Sequence, residues 1–320
     1  MTVRNLEFLF RPKSVAVVGA SDELGSYGAV VLRNLIDGGF NGPILPVAVK
    51  HRSLFGIGAH PHIKELPITP DLAVICSAPE DVPRLVSDLG ARGTKAVIVG
   101  SPAMLEKGKR GGRGMRQAML RAARPHLMRI LGPRSGGLMV PPANLNASFC
   151  HLTPLAGKLA FVSQSAAVAS AVLDWAKSRG VGFSCALDLG ESDDVDLADV
   201  LDYLATDPDT TSILIHFESV AVGRKFMSAA RAAARNKPVV AIKGSSIEEG
   251  GPLSASHIGA LLAPDDVYNA ALRRAGIVRV LTMEGLLDAA AVLTRARPLK
   301  GERLTILANG TGLGRITADA

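Results

Sequence analysis

Short apolar runs alternate with helix-like stretches along the first 130 residues of the chain. The runs predict strands at 14–18, 44–47, 71–76, 96–99 and 128–131. Apolar residues at helical spacing predict helices at 28–38, 82–92 and 115–123. Buried strands that alternate with helices are typical of a parallel sheet covered on both faces. The pattern therefore predicts an α/β domain over residues 1–130.

The same alternation restarts after a segment at 132–154 that is rich in proline and asparagine. Strands are predicted at 159–162, 185–189, 212–217, 239–242 and 277–280. Helices are predicted at 166–179, 197–205, 224–235, 267–275 and 283–293. We expect a linker at 131–153 and a second α/β domain with a parallel sheet at 154–297.

The last residues have the pattern of another domain's beginning. Pro298 and Gly301 predict a second linker, followed by a strand at 304–307. A glycine-rich turn at 309–314 then leads into a helix. A strand, a turn and part of a helix cannot build a core, so we expect residues 298–320 to be the start of a truncated third α/β domain.

Composition narrows the class of protein. The 320 residues are 48% hydrophobic and 20% charged, which excludes wholesale disorder. The formal net charge of +7 fits either a nucleic-acid-binding protein or a protein that binds polyanionic cofactors. Cys76, Cys150 and Cys185 are odd in number and widely spaced, so neither a disulfide framework nor a metal site is expected. A reducing cytoplasm is the default compartment.

No segment is typical of a signal or a membrane span. The N-terminal residues 1–12 carry charges and lack an apolar core. The longest charge-free stretch, between Leu138 and Lys158, is broken by three prolines. We therefore expect no membrane association.

A glycine-bearing turn follows the first strand, where backbone N–H groups can approach a phosphate. Ser21 stands where the second glycine of a dinucleotide fingerprint belongs. The second strand ends near Lys50 rather than at the acidic residue of an NAD site, which favours a phosphorylated ribose as in coenzyme A or NADP. A purely structural turn is the alternative. The candidate cofactor-binding residues are Gly19, Ala20, Ser21, Gly25, Gly28 and Lys50.

A second turn joins a predicted strand directly to a helix. Ser163 and Ser165 can accept hydrogen bonds from the first N–H groups of that helix, as ordinary capping residues do. The same helix start also attracts phosphate through its N–H groups and dipole. Capping and phosphate binding both remain open. The candidate residues are Ser163, Gln164, Ser165 and Ala166.

His257 and Glu218 are the candidate catalytic residues. Small residues flank His257 in a loop, and a neutral imidazole nitrogen is a competent nucleophile toward phosphorus. Glu218 ends a buried strand, where a carboxylate can hold an imidazole N–H. A solvent-exposed histidine and a surface glutamate are the alternatives, and the spacing does not show that the two side chains meet.

In this order the pieces resemble the NDP-forming (ADP-forming) acyl-CoA synthetases, which include acetate–CoA ligase and the succinate–CoA ligase alpha subunit. The resemblance is strongest to the N-terminal part of acetate–CoA ligase/acetyltransferase fusion proteins, and it extends along essentially the whole chain. The matching segments are FRPKSVAVVGAS (10–21), NASF (146–149), FVSQS (161–165), LDWA (173–176), DVDLAD (194–199), GRKF (223–226), SHIGAL (256–261), DDVY (265–268) and NGTGLG (309–314).

This resemblance implies a Rossmann-like CoA-binding domain followed by a flavodoxin-like ligase domain. It implies that His257 carries a phosphoryl group between acyl phosphate and ADP, that Glu218 stabilises the phosphoimidazole, and that the 163–167 turn holds phosphate. ADP or ATP with Mg would bind only through an ATP-grasp domain or subunit that this chain lacks. Homo- or hetero-oligomers are expected, without nucleic acid.

Several positions depart from the family's motifs, and two rival functions follow. Ala166, Ile258 and Arg134 stand where the family has glycine, threonine and asparagine. A binding module that senses CoA or acyl-CoA for an acetyltransferase would not need turnover. An NADP-dependent oxidoreductase is disfavoured, because the second glycine and an obvious hydride-transfer acid are missing.

Overall fold

The computed structural model describes residues 3–100, 110–244, 265–295 and 305–319. The first half is a doubly wound α/β unit. In chain order its elements are α1 (Glu7–Phe10), β1 (Val15–Val18), α2 (Tyr27–Asp37), β2 (Ile44–Val47), β3 (Ser53–Leu54), β4 (Ile57–Gly58), β5 (Leu72–Ile75), α3 (Val82–Arg92), β6 (Ala96–Val99), α4 (Arg110–Ala123) and β7 (Arg129–Leu131). The main sheet has the strand order β2-β1-β5-β6-β7 and is parallel throughout.

Both faces of this sheet are buried because successive residues of a strand point to opposite sides. Val15 and Val17 pack with α2 on one face, whereas Ala16 and Val18 pack with α3 and α4 on the other. All four residues of β1 are buried. This two-sided burial is why the strands read as continuous apolar runs rather than as alternating ones.

The second half repeats the plan with a larger sheet. Its elements are β8 (Gly137–Val140), β9 (Leu145–Ser148), β10 (Leu155–Ser163), α5 (Ala166–Arg179), β11 (Gly182–Asp188), α6 (Leu197–Thr206), β12 (Ser212–Phe217), α7 (Gly223–Asn236), β13 (Val239–Lys243), α8 (Asp265–Ala275), β14 (Val278–Val280) and α9 (Met283–Arg295). The strand order is β14-β13-β12-β10-β11-β8-β9, and the five strands from β14 to β11 are parallel.

Two strands lie inside the stretch that the sequence assigns to a linker at 131–153. β8 pairs antiparallel with β11, and β9 pairs antiparallel with β8, so both belong to the second sheet. The polar residues Asn146 and Ser148 are buried in β9, where the Ser148 hydroxyl donates to Asn146 Oδ1 at 2.6 Å. Because these two buried residues are polar, β9 has no continuous apolar run, which is why the sequence does not predict this hairpin.

The two halves share packed surfaces. Leu138 and Leu201 of the second half lie in the same apolar cluster as Val15 of the first. Arg129, which follows α4, donates to the carboxylates of Asp194 and Asp199 at 3.0 Å each. The ends of the two sheets are therefore held in a fixed relation.

Two details near the chain ends and gaps differ from the sequence predictions. α4 begins at Arg110, earlier than the predicted Met115. Residues 305–307 form no strand, because none of the described strands hydrogen-bonds to them. A helix, α10 (Thr311–Asp319), follows as predicted. No helix in the described parts of the chain is long and apolar enough to cross a membrane.

Candidate functional site

Each sheet has one point where the chain order reverses. When the five parallel strands of each sheet are numbered by their order in the chain, they lie side by side in the order 2-1-3-4-5 in both sheets. The reversal therefore lies between β1 and β5 in the first sheet and between β10 and β12 in the second. Open α/β sheets bind ligands in the crevice beyond the carboxyl ends of the strands at this point. The predicted site residues of the described chain follow those strand ends or line the loops beside them.

The turn after β1 is built from backbone hydrogen bonds. The N–H groups of Gly19 and Ala20 both donate to the carbonyl of Val47, at 3.0 and 3.1 Å. Gly19 has a φ of +83°, and a Cβ added there would lie 2.7 Å from Ser77 Oγ. Both the left-handed conformation and the close neighbour require glycine at this position.

The two other predicted glycines shape the turn and do not line its cavity. Gly25 has a φ of +80° and open space around it, and Ser26 then caps α2 by accepting from the N–H of Ala29. A Cβ on Gly28 would lie 2.1 Å from the carbonyl oxygen of Gly19. Gly28 therefore allows α2 to pack against the turn.

A cavity of about 790 Å³ opens beside this turn, and we call it the Gly19 cavity. Four of the candidate cofactor-binding residues, Gly19, Ala20, Ser21 and Lys50, line it, and Lys50 is exposed. Sequence reasoning missed the other lining residues with polar or charged side chains. The polar or basic ones are His51, His62, Lys64, Ser77 and Arg84, and the acidic ones are Asp22, Glu23, Glu65, Asp81 and Asp88.

One of the missed residues, Ser77, could have been found from its position in the sequence. Ser77 follows β5, the strand beside β1 at the reversal point, so the strand-end rule alone would have placed it there. Arg84 projects from α3 and donates to Asp81 at 2.9 Å, while its other terminal nitrogen lies 3.5 Å from Asp88. Its side chain is 63% exposed, so it can exchange these carboxylates for an anionic ligand.

The turn after β10 is held by side chains instead. Ser163 is fully buried, and its hydroxyl donates to the carbonyl of Ser165, accepts from the Ser165 N–H and lies 3.2 Å from His216 Nδ1. Gln164 Oε1 accepts from the N–H groups of Glu218 and Ser219 at 2.7 and 3.1 Å. The polar atoms of Ser163 and Gln164 are thus engaged in fixing the turn.

The start of α5 faces the space above this turn. Ser165 caps the helix by accepting from the N–H of Val168. The first N–H groups of a helix have no acceptor within it, and those of Ala166 and Ala167 lie where both residues line a cavity. Ala166 is not among the residues with a positive φ, so its methyl group brings no backbone strain.

Glu218 follows β12 directly and lines the same cavity. A Cβ on Gly244, after β13, would lie 3.4 Å from Glu218 Cγ and 2.9 Å from His216 Nε2. The segment that contains His257 starts immediately after Gly244 in the chain. His257 itself, with Ile258, lies outside the described residues, so its pairing with Glu218 stays a prediction.

The cavity at the start of α5 measures about 530 Å³, and we call it the α5 cavity. Asp188, the last residue of β11, lines it although it is only 4% exposed. Burial is the main cause that raises the pKa of Asp188 to about 6, against the N–H groups of Gly136 and Gly190, which hydrogen-bond to the carboxylate. Sequence reasoning missed Asp188, although it ends a strand at the same sheet edge.

The fold and these two cavities define a two-domain α/β protein with a site at each switch point. A family model described as a CoA binding domain matches residues 13–141, and one described as a succinyl-CoA ligase like flavodoxin domain matches residues 156–293. The alpha subunit of ADP-forming acetate–CoA ligase I from Pyrococcus furiosus is 37% identical over 99% of this chain and 69% of that subunit. The chain belongs to the family of ADP-forming acetate–CoA ligases.

Other relatives agree with this family. ADP-forming acetate–CoA ligase I of Archaeoglobus fulgidus is 36% identical over 98% of this chain and 45% of that ligase. The structure of dinucleotide forming acetyl-coenzyme A synthetase 1 from Ca. Korarchaeum cryptofilum, in complex with phosphate and ADP, matches with a TM-score of 0.88 and 33% identity. That match covers 98% of this chain and 68% of the other. The chain thus spans about two thirds of the separate alpha subunit and under half of the longer ligase.

Proposed function

We propose that this chain is the CoA-binding and phosphohistidine-carrying part of an ADP-forming acyl-CoA synthetase. In the complete enzyme, acyl-CoA, phosphate and ADP give the free acid, CoA and ATP. Phosphate attacks the thioester carbonyl, CoA leaves as the thiol, and the acyl phosphate passes its phosphoryl group to His257. The observation that carries the proposal is that one chain holds two different switch-point sites, one wide and one at a helix start.

The Gly19 cavity supports the CoA assignment. Its volume of about 790 Å³ is in the range of pockets that hold cofactor-sized ligands. Lys50, Lys64 and Arg84 in its wall supply positive charge for phosphate groups, although five carboxylates line the cavity as well. We assign Lys50, which follows β2 and lines this cavity, to the ribose 3′-phosphate.

The α5 cavity supports the phosphoryl assignment. The N–H groups of Ala166 and Ala167, together with the dipole of α5, attract an oxyanion. The backbone at Glu218 is held by Gln164 Oε1, which accepts from the N–H groups of Glu218 and Ser219. The carboxylate that this backbone carries at the cavity can hold the N–H of a phosphorylated imidazole from His257.

Phosphorylation of ADP requires a partner. The Pyrococcus furiosus relative is an alpha subunit of its ligase, which supports a further subunit. We assign nucleotide and Mg binding to an ATP-grasp domain or subunit, to which the His257 segment delivers its phosphoryl group.

The test of the phosphoryl role is direct labelling of the protein. Incubation with acetyl phosphate and other acyl phosphates, followed by mass spectrometry under alkaline conditions, should show one phosphate on the His257 peptide. His257→Ala should abolish the label, and Glu218→Gln should reduce it without unfolding the protein. Label that persists in His257→Ala contradicts the proposal. If no acyl phosphate labels the protein, the result favours a CoA-sensing module of an acetyltransferase.

The CoA role is tested by calorimetry. CoA should bind more tightly than dephospho-CoA, and Lys50→Ala should remove that difference, because the extra phosphate loses its charged partner. Asp22→Asn, a change at another residue lining the Gly19 cavity, should keep the preference for CoA. Tighter binding of NADP than of CoA would overturn the assignment.

A further inference from the structure

We propose that Arg134 is the cationic binding residue of the α5 cavity, and that its guanidinium group leaves Glu191 to pair with the oxygens of a phosphoryl group bound there. The inference rests on the proposed phosphoryl role of the cavity and names the side chain that supplies its positive charge. It also makes phosphate affinity depend on Glu191, because the Glu191 carboxylate competes with the ligand for Arg134.

The charges in the wall of the α5 cavity are the first observation. Among the described residues that line it, Arg134 has the single positively charged side chain. The acidic lining residues are Asp188, Glu191, Asp196 and Glu218. Negative charges oppose the binding of an anion, and the N–H groups at a helix start carry only partial positive charge. A phosphoryl dianion at the start of α5 therefore needs a cation, and this wall offers Arg134.

The availability of the Arg134 side chain is the second observation. The side chain is 48% exposed. Its Nη1 donates to Glu191 Oε1 at 3.1 Å, and this is the only hydrogen bond from its guanidinium group to a described residue. Partly exposed ion pairs of this kind contribute little to stability, so they exchange readily. A guanidinium group with free N–H groups can bind two phosphate oxygens at once.

Glu191 keeps a second cation when Arg134 leaves it, which is the third observation. Glu191 Oε2 lies 4.0 Å from Nη1 of Arg116, a residue of α4. Arg116 is anchored by both carboxylate oxygens of Asp193, since its Nε donates to Oδ2 at 2.6 Å and its Nη2 donates to Oδ1. Arg116 does not line the α5 cavity and cannot replace Arg134 there. The exchange therefore leaves no carboxylate without a cation nearby.

The backbone at Arg134 fixes where its side chain starts and makes a clean variant available. The Glu191 N–H donates to the carbonyl of Pro133 at 2.9 Å, which holds the two segments together. Arg134 has a φ of +57°. Asparagine adopts this left-handed conformation more readily than arginine does. Arg134→Asn should therefore keep the backbone and remove only the cation.

The test measures binding of inorganic phosphate by calorimetry, together with chemical denaturation of each variant. Arg134→Asn should weaken phosphate binding by about tenfold or more, the loss of one charge-assisted pair, without lowering the denaturation midpoint. Arg134→Lys, which keeps the charge and loses the planar fork, should recover part of the affinity. Arg235→Ala is the matched control, because it removes an exposed arginine at the far end of α7 and should leave phosphate affinity unchanged.

Glu191→Gln tests the exchange itself. It removes the competitor for Arg134, so phosphate affinity should rise, and the rise should shrink when Arg134→Asn is also present. An equal rise in both backgrounds would show that Glu191 acts only as a distant charge, which overturns the exchange.

The proposal as a whole is overturned if Arg134→Asn binds phosphate as tightly as the wild-type protein, or if the wild-type protein binds no phosphate. Labelling of His257 by acyl phosphates is scored separately. Label in a protein whose phosphate affinity ignores Arg134 sinks this inference alone. A phosphate site that needs Arg134, in a protein that never takes label, sinks the phosphoryl-carrier function alone.

Discussion

The two sheets share one strand order but present different turns at the point of reversal. In the first, a loop runs from Gly19 to the cap Ser26 before α2 begins. In the second, only Gln164 and Ser165 separate β10 from α5. The cavities beside them measure about 790 and 530 Å³. The cavities therefore differ in what borders them: the longer turn, through residues 19–23, lines the first, whereas the first two residues of α5 line the second.

The turns also differ in what holds them. Backbone N–H groups donating to the Val47 carbonyl fix the first turn. The side chains of Ser163 and Gln164 fix the second. Side-chain substitutions should therefore disturb the second turn more than the first, whereas an added Cβ should disturb the first.

The largest effect is expected from Gly28→Ala. Its new methyl group would lie 2.1 Å from the Gly19 carbonyl oxygen, so α2 must move away from the turn. We expect the free energy of unfolding to fall by about 3 kcal/mol, together with a loss of CoA affinity. Chemical denaturation and calorimetry measure the two changes.

Gly223→Ala is the control, since Gly223 also stands at a helix start but has open space around it. It should leave stability unchanged or raise it by up to about 1 kcal/mol. Equal effects of the two substitutions would show that close packing of α2 on the turn is not what holds the Gly19 cavity.

A pH dependence of stability distinguishes the second site. The pKa of Asp188 is raised to about 6 in the folded protein from 3.8. The native state therefore holds this proton more tightly, and the stabilisation is complete below pH 3.8 and lost as the pH rises through 6. The free energy of unfolding should fall by about 2–3 kcal/mol across this window relative to Asp188→Asn.

Denaturation of both proteins at a series of pH values gives this difference, in which the other carboxyl groups cancel. Glu191→Gln should retain the wild-type difference from Asp188→Asn. Parallel curves for wild type and Asp188→Asn would show that the Asp188 carboxyl titrates as an ordinary one.

Most of the fold could be predicted from the sequence because parallel strands buried on both faces leave uninterrupted apolar runs. The run before Gly19 is one example, and β1 lies within it. β9 could not be predicted in this way, since its buried Asn146 and Ser148 are polar and interrupt the apolar run. The prediction of a strand at 304–307 was wrong for residues 305–307. An apolar run forms a strand only where a neighbouring strand pairs with it, and none of the described strands does so.

Candidate residues could be predicted from the sequence where a polar or charged side chain follows the end of a strand. Lys50, Ser165 and Glu218 follow strands and line the cavities as placed. Which residues line a cavity and which hold the turn in place was not predictable, because it depends on contacts between separate segments. Gln164 accepts from the N–H of Glu218 at the end of the neighbouring strand, and Gly28 meets Gly19 across the loop.

Gln164→Met sharpens the contrast between side-chain and backbone support. It removes the acceptor for the Glu218 and Ser219 N–H groups, so we expect a loss of about 1–2 kcal/mol in stability and weaker His257 labelling. Ser21→Ala removes one exposed bond from the Glu23 N–H and should cost about 0.5 kcal/mol or less. A larger effect of Ser21→Ala on stability would reverse the comparison.

Ala166→Gly is expected to change ligand affinity rather than stability, and only modestly. Because Ala166 has no positive φ, only crowding of the incoming oxyanion by its methyl group is relieved. Phosphate affinity in calorimetry should rise by less than about tenfold, or 1.4 kcal/mol. Ala167→Gly serves as the control for loosening of the helix start. Unchanged or weaker binding by Ala166→Gly alone would show that the site tolerates the methyl group.

The most direct test of two separate sites measures CoA affinity and acetyl-phosphate labelling of His257 in the same two variants. Gly19→Ala, whose Cβ would lie 2.7 Å from Ser77 Oγ, should lower CoA affinity and spare labelling. Glu218→Gln should lower labelling and spare CoA affinity. A variant that loses both properties equally, with its fold intact, would contradict the account.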